Sequence, residues 1–367
     1  MTRTDESRPR TLLVVGARGI PDVEGGAEKN AEMLFPRVVD AGYRVVLLGI
    51  DGLITRDEFG GVELLKAPAS RLLGTDKLLY YISAVRTSRR LRPDVVHLQG
   101  LGAALFLWGH KTTGAKIVVR YGSADYLVAK WGRVGRAGFL AAEFQTRWAD
   151  AIIAVAPSLA ARLAGRGIVD NVHVIPNAVD ELPAAARDGE DRELVEGGPY
   201  VLLVGRVTAQ KDVLTSIRAF QRVNAASGGR LRLLIAGGLE DESYVEQVRE
   251  LADPSVVLLG RCTRAQLELL YRECACYVNG SVHEGSSNAA LEAIGRGCAV
   301  LLSDIPENRD FGLPDRHHFA VGDEAAQARA LEAAIAEPHR FVADRTGFST
   351  WDDVAAKTVG VYESVLS

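Results

Sequence analysis

The chain has 367 residues, 47% of them hydrophobic and 25% charged, which excludes a disordered or fibrous protein and supplies two cores of ordinary size. Its apolar runs, such as Val201 to Val204 and Ala299 to Leu302, fall far short of the roughly 20 residues a membrane-spanning helix needs. The net charge of −4 conceals a split: residues 1–180 carry 24 Lys and Arg against 18 Asp and Glu, and residues 181–367 carry 19 against 29.

Leu12 to Val15, stopped by Gly16, is a short apolar run of the kind buried in a parallel sheet. Glu28 to Ala41 places Ala31, Leu34, Phe35 and Val38 at helical spacing. A strand at Arg44 to Leu48, a helix at Lys77 to Leu91, and strands at Asp94 to Leu98 and Lys116 to Arg120 follow. A helix around Gly135 to Ala149, a strand at Ala151 to Val155 and a helix at Leu159 to Ala164, with Ser158 as its expected cap, complete the first half. Polar, acidic residues 181–198, rich in Gly and Pro, read as a linker. The alternation then restarts. Strands are expected at 200–204, 232–236, 256–259, 275–278 and 299–302; helices at 212–225, 243–251, 263–273, 287–296, 324–336 and 351–366. Two doubly wound α/β units in tandem are predicted. Ligands of such sheets bind beyond the carboxyl ends of the strands, here in a cleft between two facing units.

Three segments carry chemistry-bearing residues. In Asn279 to Gly297 a strand end, a Gly/Ser-rich turn and a helix start succeed one another, so the first amides of the helix and its dipole suit a phosphate. Glu284 lies in that turn and Glu292 in the helix; each carboxylate is able to accept two sugar hydroxyls, or else to serve as a cap and a solvated helix residue. Val204 to Lys211 puts Arg206 and Lys211 on one loop after a strand, where two cations fit a diphosphate, though surface cations are common. The loop from Gly16 to Glu28 holds Gly25 and Gly26 at a helix start, where backbone can approach a phosphate, but it lacks the G-x-G-x-x-G of a dinucleotide fold. No Asp-x-Asp occurs, and the four cysteines (Cys262, Cys274, Cys276, Cys298) lack zinc-type pairing, so no metal is expected and the thiols read as reduced and cytoplasmic. The polar Thr2 to Arg10 does not read as a secretory signal.

In this order, Gly25-Gly26, Ile175-Pro-Asn-Ala-Val-Asp180, Gly205-Arg206 with Lys211, and Glu284-x7-Glu292 resemble the retaining GT-B glycosyltransferases of group 1, family GT4. Arg18-Gly-Ile-Pro21 and Lys130-Trp-Gly132 resemble its bacterial polysaccharide-assembly, rhamnosyltransferase-like branch. The resemblance implies two Rossmann-like domains: an acceptor-side domain at 1–180, the linker at 181–198, a donor-binding domain at 199–347, and a terminal segment at 348–367 crossing back to the first domain. It implies a metal-independent hexosyltransferase with a nucleoside diphosphate sugar as donor substrate, no cofactor, no nucleic-acid partner, and a glycan or lipid-linked acceptor. Arg206 and Lys211 would neutralise the diphosphate, with Gly205, Gly25, Gly26 and the amides of Ser286, Ser287 and Asn288 around it. Glu292 would take the ribose hydroxyls and Glu284 those of the transferred sugar. Relatives often have His-Gly where this chain has Tyr121-Gly122, so Tyr121 is a candidate sugar contact or the mark of a different donor preference; His97 and His283, near strand ends, are candidate sugar or acceptor contacts or else structural histidines. Arg86, Arg89, Arg90, Arg92, Lys130, Arg133 and Arg136 suit a peripheral contact of the basic half with the inner face of a membrane, and equally a solvated basic face. A nucleotide-sugar epimerase of the same fold and a non-catalytic nucleotide-sugar-binding protein are the alternatives.

Overall fold

The computed structural model describes residues 8–68, 76–127, 132–179 and 191–367. The chain divides into two compact units, one of residues 1–177 with 351–367 and one of residues 178–350.

In the first unit, β1 (Thr11–Val15) leads into α1 (Gly26–Asp40), followed by β2 (Arg44–Ile50), β3 (Glu58–Phe59), β4 (Val62–Ala67), α2 (Asp76–Leu91) and β5 (Val95–Gln99). Next come α3 (Leu101–Ala104), α4 (Leu107–Lys111), β6 (Lys116–Tyr121), α5 (Arg133–Gln145), β7 (Ala151–Ala154), α6 (Pro157–Ala164) and β8 (Val172–Val174). Among the described residues the sheet runs β3-β4-β2-β1-β5-β6-β7-β8, parallel except for β3. Every residue of β1 is buried, as its unbroken apolar run requires. The predicted stripe of α1 (Ala31, Leu34, Phe35, Val38) is buried too.

Three features depart from expectation. Helix α6 starts at Pro157 behind Ala156, with no side-chain cap; the fixed φ of proline already sets the first turn, and Ser158 lies inside the helix rather than capping it. The antiparallel β3–β4 hairpin turns on Gly60 and Gly61, with φ of 54° and 78°, a two-residue turn that favours glycine at both places. The stretch expected to be one helix to Ala149 ends at Gln145 and tightens into a 3-10 turn, Thr146–Trp148.

In the second unit, β9 (Tyr200–Val204), α7 (Val213–Ala226), β10 (Arg232–Ala236), α8 (Glu242–Leu251), β11 (Val256–Gly260) and α9 (Arg264–Glu273) precede β12 (Cys276–Asn279). Then come α10 (Asn288–Gly295), β13 (Val300–Ser303), α11 (Pro306–Arg309), β14 (His318–Phe319) and α12 (Glu324–Ala336). The sheet is parallel throughout, in the order β11-β10-β9-β12-β13-β14. Strand β9 shows why both faces need cover: Val201 and Leu203 enter one core, Tyr200 and Leu202 the other. Thr263 and Gln266 form a reciprocal capping box that starts α9. Helix α13 (Trp351–Leu366) belongs to the first unit, where Arg37 on α1 pairs with Asp352 at 2.6 Å.

Of the linker expected at 181–198, residues 181–190 lie outside the described residues, as do Asp180 and Lys130-Trp131. Within the second unit Asp191 accepts a hydrogen bond from Gln266 Nε2 at 2.9 Å.

Candidate functional site

The strand order of the second unit reverses between β9 and β12, which pair as neighbours. The connections leaving their carboxyl ends run in opposite directions, so a crevice opens there, at the switch point where ligands of such sheets bind. Lys211 lies in the segment after β9, and Glu284 in the segment after β12.

Lys211 Nζ donates to Glu284 Oε1 at 2.5 Å. The same oxygen accepts Ser281 Oγ at 2.7 Å and Asn279 Nδ2 at 3.2 Å. Burial acts to raise the Glu284 carboxyl, but the Lys211 charge and these hydrogen bonds prevail and hold it below its ordinary value. Asn279 also donates to Ser287 Oγ at 3.0 Å and accepts the Ser281 amide at 2.9 Å, so one side chain at the end of β12 braces the whole turn. Gln210 ties the loops a second time: its Nε2 donates to the His283 carbonyl and its carbonyl accepts the Val282 amide, each at 2.9 Å.

Glycine is needed where the loops crowd. Gly205 has φ of +151°, and a Cβ on Gly237 (φ +149°) would come within 2.0 Å of the Gly205 carbonyl oxygen. Arg206 follows Gly205 and is exposed. Its charge, after the stronger hydrogen bond from Arg261, helps hold the Glu240 carboxyl below its usual range.

Ser287 caps α10 and accepts from the Ala290 amide, while Ser286 and Asn288 flank it, half-buried. One turn on, Glu292 Oε2 accepts the hydroxyl of the buried Tyr271 at 3.0 Å. Burial, then the Glu292 charge, pushes that hydroxyl well above the usual tyrosine range, so it remains a donor. The Arg296 guanidinium lies 5.2 Å from the Tyr271 ring centre. The His283 ring is buried, with Nδ1 at 3.7 Å from Glu307 Oε1.

In the first unit Gly25 is the residue before α1, with φ of +142°; a Cβ there would lie 2.0 Å from Glu28 Oε2. Glu28 Oε1 in turn accepts the Arg18 amide at 3.1 Å and its Nε at 2.8 Å, so the loop closes tightly onto the helix start at Gly26. Two expected contacts are corrected. Tyr121 is fully buried and donates to Glu143 Oε2 at 2.5 Å; burial, then this bond, raises its hydroxyl pKa. His97 is also fully buried, its Nδ1 at 2.6 Å from the Tyr362 hydroxyl, and burial, reinforced by Arg120, pushes its pKa down to about 3. Neither presents a side-chain atom to a ligand, because both point into the core rather than out of the strand end.

The expected Gly205, Lys211, Glu284 and Ser287 are thus drawn together. Asn279, Ser281 and Gln210 were not singled out from sequence. Asn279 and Ser281 border the Gly/Ser-rich turn, which was their signal; Gln210 had none.

Residues 198–337 match the family described as Glycosyl transferases group 1, and residues 24–181 match Glycosyltransferase Family 4. Each unit thus carries a match to a glycosyltransferase family. The chain is 31% identical over 229 residues to the alpha-maltose-1-phosphate synthase of Mycobacterium tuberculosis, an alignment covering 53% of the chain and 57% of that relative. The chain thus spans little more than half the length of that curated relative. Among solved structures it shares the GT-B fold with the sucrose-phosphate synthase of Thermosynechococcus elongatus, with a TM-score of 0.81, 17% identity, and coverage of 97% and 99% of the two chains. An alpha,alpha-trehalose-phosphate synthase (UDP-forming) from Burkholderia xenovorans, solved in complex with glucose-6-phosphate, gives 0.79 at 13% identity, covering 98% and 100%.

Proposed function

We propose that this chain is a retaining, metal-independent glycosyltransferase that moves a sugar from a nucleoside diphosphate sugar to a glycan or lipid-linked glycan acceptor. The observation that carries the reading is the Lys211–Glu284 pair, set at the switch point of the second unit and beside the capped start of α10. Charge grows on the departing diphosphate, so fixed cations and amides aimed at it lower the barrier. Lys211 and Arg206 supply the cations, Gly205 and the turn through Ser286, Ser287 and Asn288 the close backbone. Glu284, kept ionised by its neighbours, is an acceptor for hydroxyls of the transferred sugar. Glu292, one of its oxygens fixed by Tyr271, takes the ribose. On this reading no metal or cofactor takes part.

The resemblance of Arg18-Gly-Ile-Pro21 and its following glycines to polysaccharide-assembly enzymes supports a role in bacterial surface or exopolysaccharide assembly. No helix among the described residues is long and apolar enough to cross a membrane. The proposal includes a cytoplasmic place of work, peripheral at the inner face of the membrane through the basic first half. The test is transfer from a panel of UDP-, GDP- and dTDP-sugars by Lys211→Ala and Glu284→Ala. Both variants are expected to lose transfer; undiminished transfer by both would remove the site assignment. The anomeric configuration of the product, read by NMR, tests retention.

A further inference from the structure

The first unit exposes a cluster of aromatic side chains that its core does not use. Trp108 on α4 is 50% exposed, Phe144 on α5 50%, and Trp148, one turn beyond, 38%. The rings touch one another: Trp108 and Trp148 centres are 5.5 Å apart, Phe144 and Trp148 5.3 Å. Single exposed apolar residues are ordinary, but a contiguous group of large ones marks an interaction surface. The group extends along α5, where exposed Leu140 precedes Phe144 at helical spacing and exposed Val134 lies in the first turn.

Among the described residues, the exposed charge along these helices is mostly basic. Arg133, Arg136 and Arg147 are exposed on α5 and the following turn, and Arg86, Arg89 and Arg90 are exposed on α2. Arg89 reaches Thr112, just past the end of α4, at 3.5 Å. The Arg147 guanidinium lies 3.8 Å from the centre of the Phe144 ring, a cation resting on the apolar surface. Two carboxylates of this stretch are turned away or neutralised. Glu143 is buried against Tyr121 and Arg166, and Asp150 lies 3.8 Å from both Lys111 and Lys116 and accepts the Ile117 amide.

We infer that the α4–α5 face of the first unit docks onto an anionic phospholipid bilayer, with Trp108, Phe144 and Trp148 entering the headgroup layer and the arginines binding lipid phosphates. Indole and phenyl rings with an apolar body and a polar or cationic edge partition to that layer. Arginine stems lie along apolar surface while their heads reach phosphate. A helix that joins two parallel strands runs back from their carboxyl ends to their amino ends. Arg133 therefore stands at the strand-end edge of the unit, where a ligand of that sheet would come, and Phe144 at the far edge. The inference rests on the peripheral-membrane part of the reading above and not on the transferase part.

Flotation of the full chain with vesicles tests it. The chain is expected to float with mixed phosphatidylglycerol–phosphatidylcholine vesicles, to lose this in high salt, and to stay behind with phosphatidylcholine alone. Arg133→Gln with Arg136→Gln should weaken binding about 25-fold, at about fivefold for each cation near the surface. Phe144→Ser with Trp148→Ser should weaken it about tenfold at unchanged melting temperature. Equal flotation by all the variants overturns the proposal. So does absence of flotation combined with self-association that Phe144→Ser and Trp148→Ser abolish, which assigns the face to a second copy of the chain. Stabilisation by a nucleotide sugar, measured by thermal shift without vesicles, reports separately on the transferase reading.

Discussion

The two units share the order of six parallel strands, β4-β2-β1-β5-β6-β7 in the first and β11-β10-β9-β12-β13-β14 in the second, and use its switch point differently. In the second unit, the segments after β9 and β12 carry a lysine, a glutamate, an asparagine and serines bonded across the gap, and the charged pair is only partly shielded from solvent. In the first, polar groups at the equivalent place close on one another. Tyr80 accepts the Gly16 amide at 2.8 Å and donates to the Leu48 carbonyl at 2.7 Å, and Gln99 donates to Asn30 at 2.9 Å. The histidine and tyrosine of β5 and β6 are sealed inside. One architecture thus yields an electrostatically active strand end and a packed one. The difference lies in where the polar residues stand: Lys211 and Glu284 lie beyond their strand ends, His97 and Tyr121 within their strands.

The sharpest way to break this contrast is to exchange expectations about Lys211 and Tyr121. Lys211→Ala should lower kcat/KM by about 10²–10³-fold, the size found when one preorganised group facing developing charge is removed, and should also lower the melting temperature, because the buried Glu284 loses its charge partner. Tyr121→Phe should leave donor affinity and kcat/KM where they were. If Tyr121→Phe costs as much transfer as Lys211→Ala, the first unit has an active strand end too.

Next in size is the acid sensitivity of the packed end. His97 is held neutral, with its pKa pushed down to about 3, while an unfolded histidine titrates near 6.5. The unfolded chain therefore binds the proton first, and stability falls as pH drops from about 6.5 toward about 3, on the order of 3 kcal/mol by about pH 4. Melting temperatures across that range should fall less steeply in His97→Gln, whose amide is still able to accept the Tyr362 hydroxyl. A slope unchanged by the substitution would place the titrating group elsewhere. Smaller again is the stability cost of Tyr121→Phe, about 1–3 kcal/mol, since it strips a buried carboxylate of one donor. Denaturant midpoints measure it.

How far the sequence foretold this contrast depends on what each residue type reveals. Alternation of buried runs and helical stripes placed β1, β10, α12 and α13 closely, because both periods are written in the apolar residues themselves. The Gly60-Gly61 hairpin was also legible but passed over, since β3 has only two residues and no alternation to show. Lys211, Glu284 and Ser287 were found by their spacing around turns. Tyr121 and His97 were misplaced for a physical reason: a polar residue in a fully buried strand has no apolar alternation beside it to say which way it points. Gln210 acts through both its backbone and its side chain, and its position in the loop carries no pattern at all.

The smallest effect discriminates the two ends by pH. Glu284 is held below its ordinary value, so its pairing contributes stability that is fully present above the unfolded pKa, near 4.3, and is lost as pH falls through the lower folded value. His97 acts in the opposite chemical sense, a base kept neutral, and its loss begins about two pH units higher. Glu284→Gln should therefore leave the melting curve between about pH 6.5 and 4.5 unchanged in shape and flatten it only below. Bound nucleoside diphosphate adds a further signature. If Lys211 is shared between Glu284 and the diphosphate, ligand should stabilise Glu284→Gln at least as strongly as the parent chain, because the lysine no longer leaves a carboxylate partner. Thermal shift with UDP, GDP and dTDP reads this directly, and a weaker shift in the variant would mean that Glu284 positions the lysine for phosphate instead of competing for it.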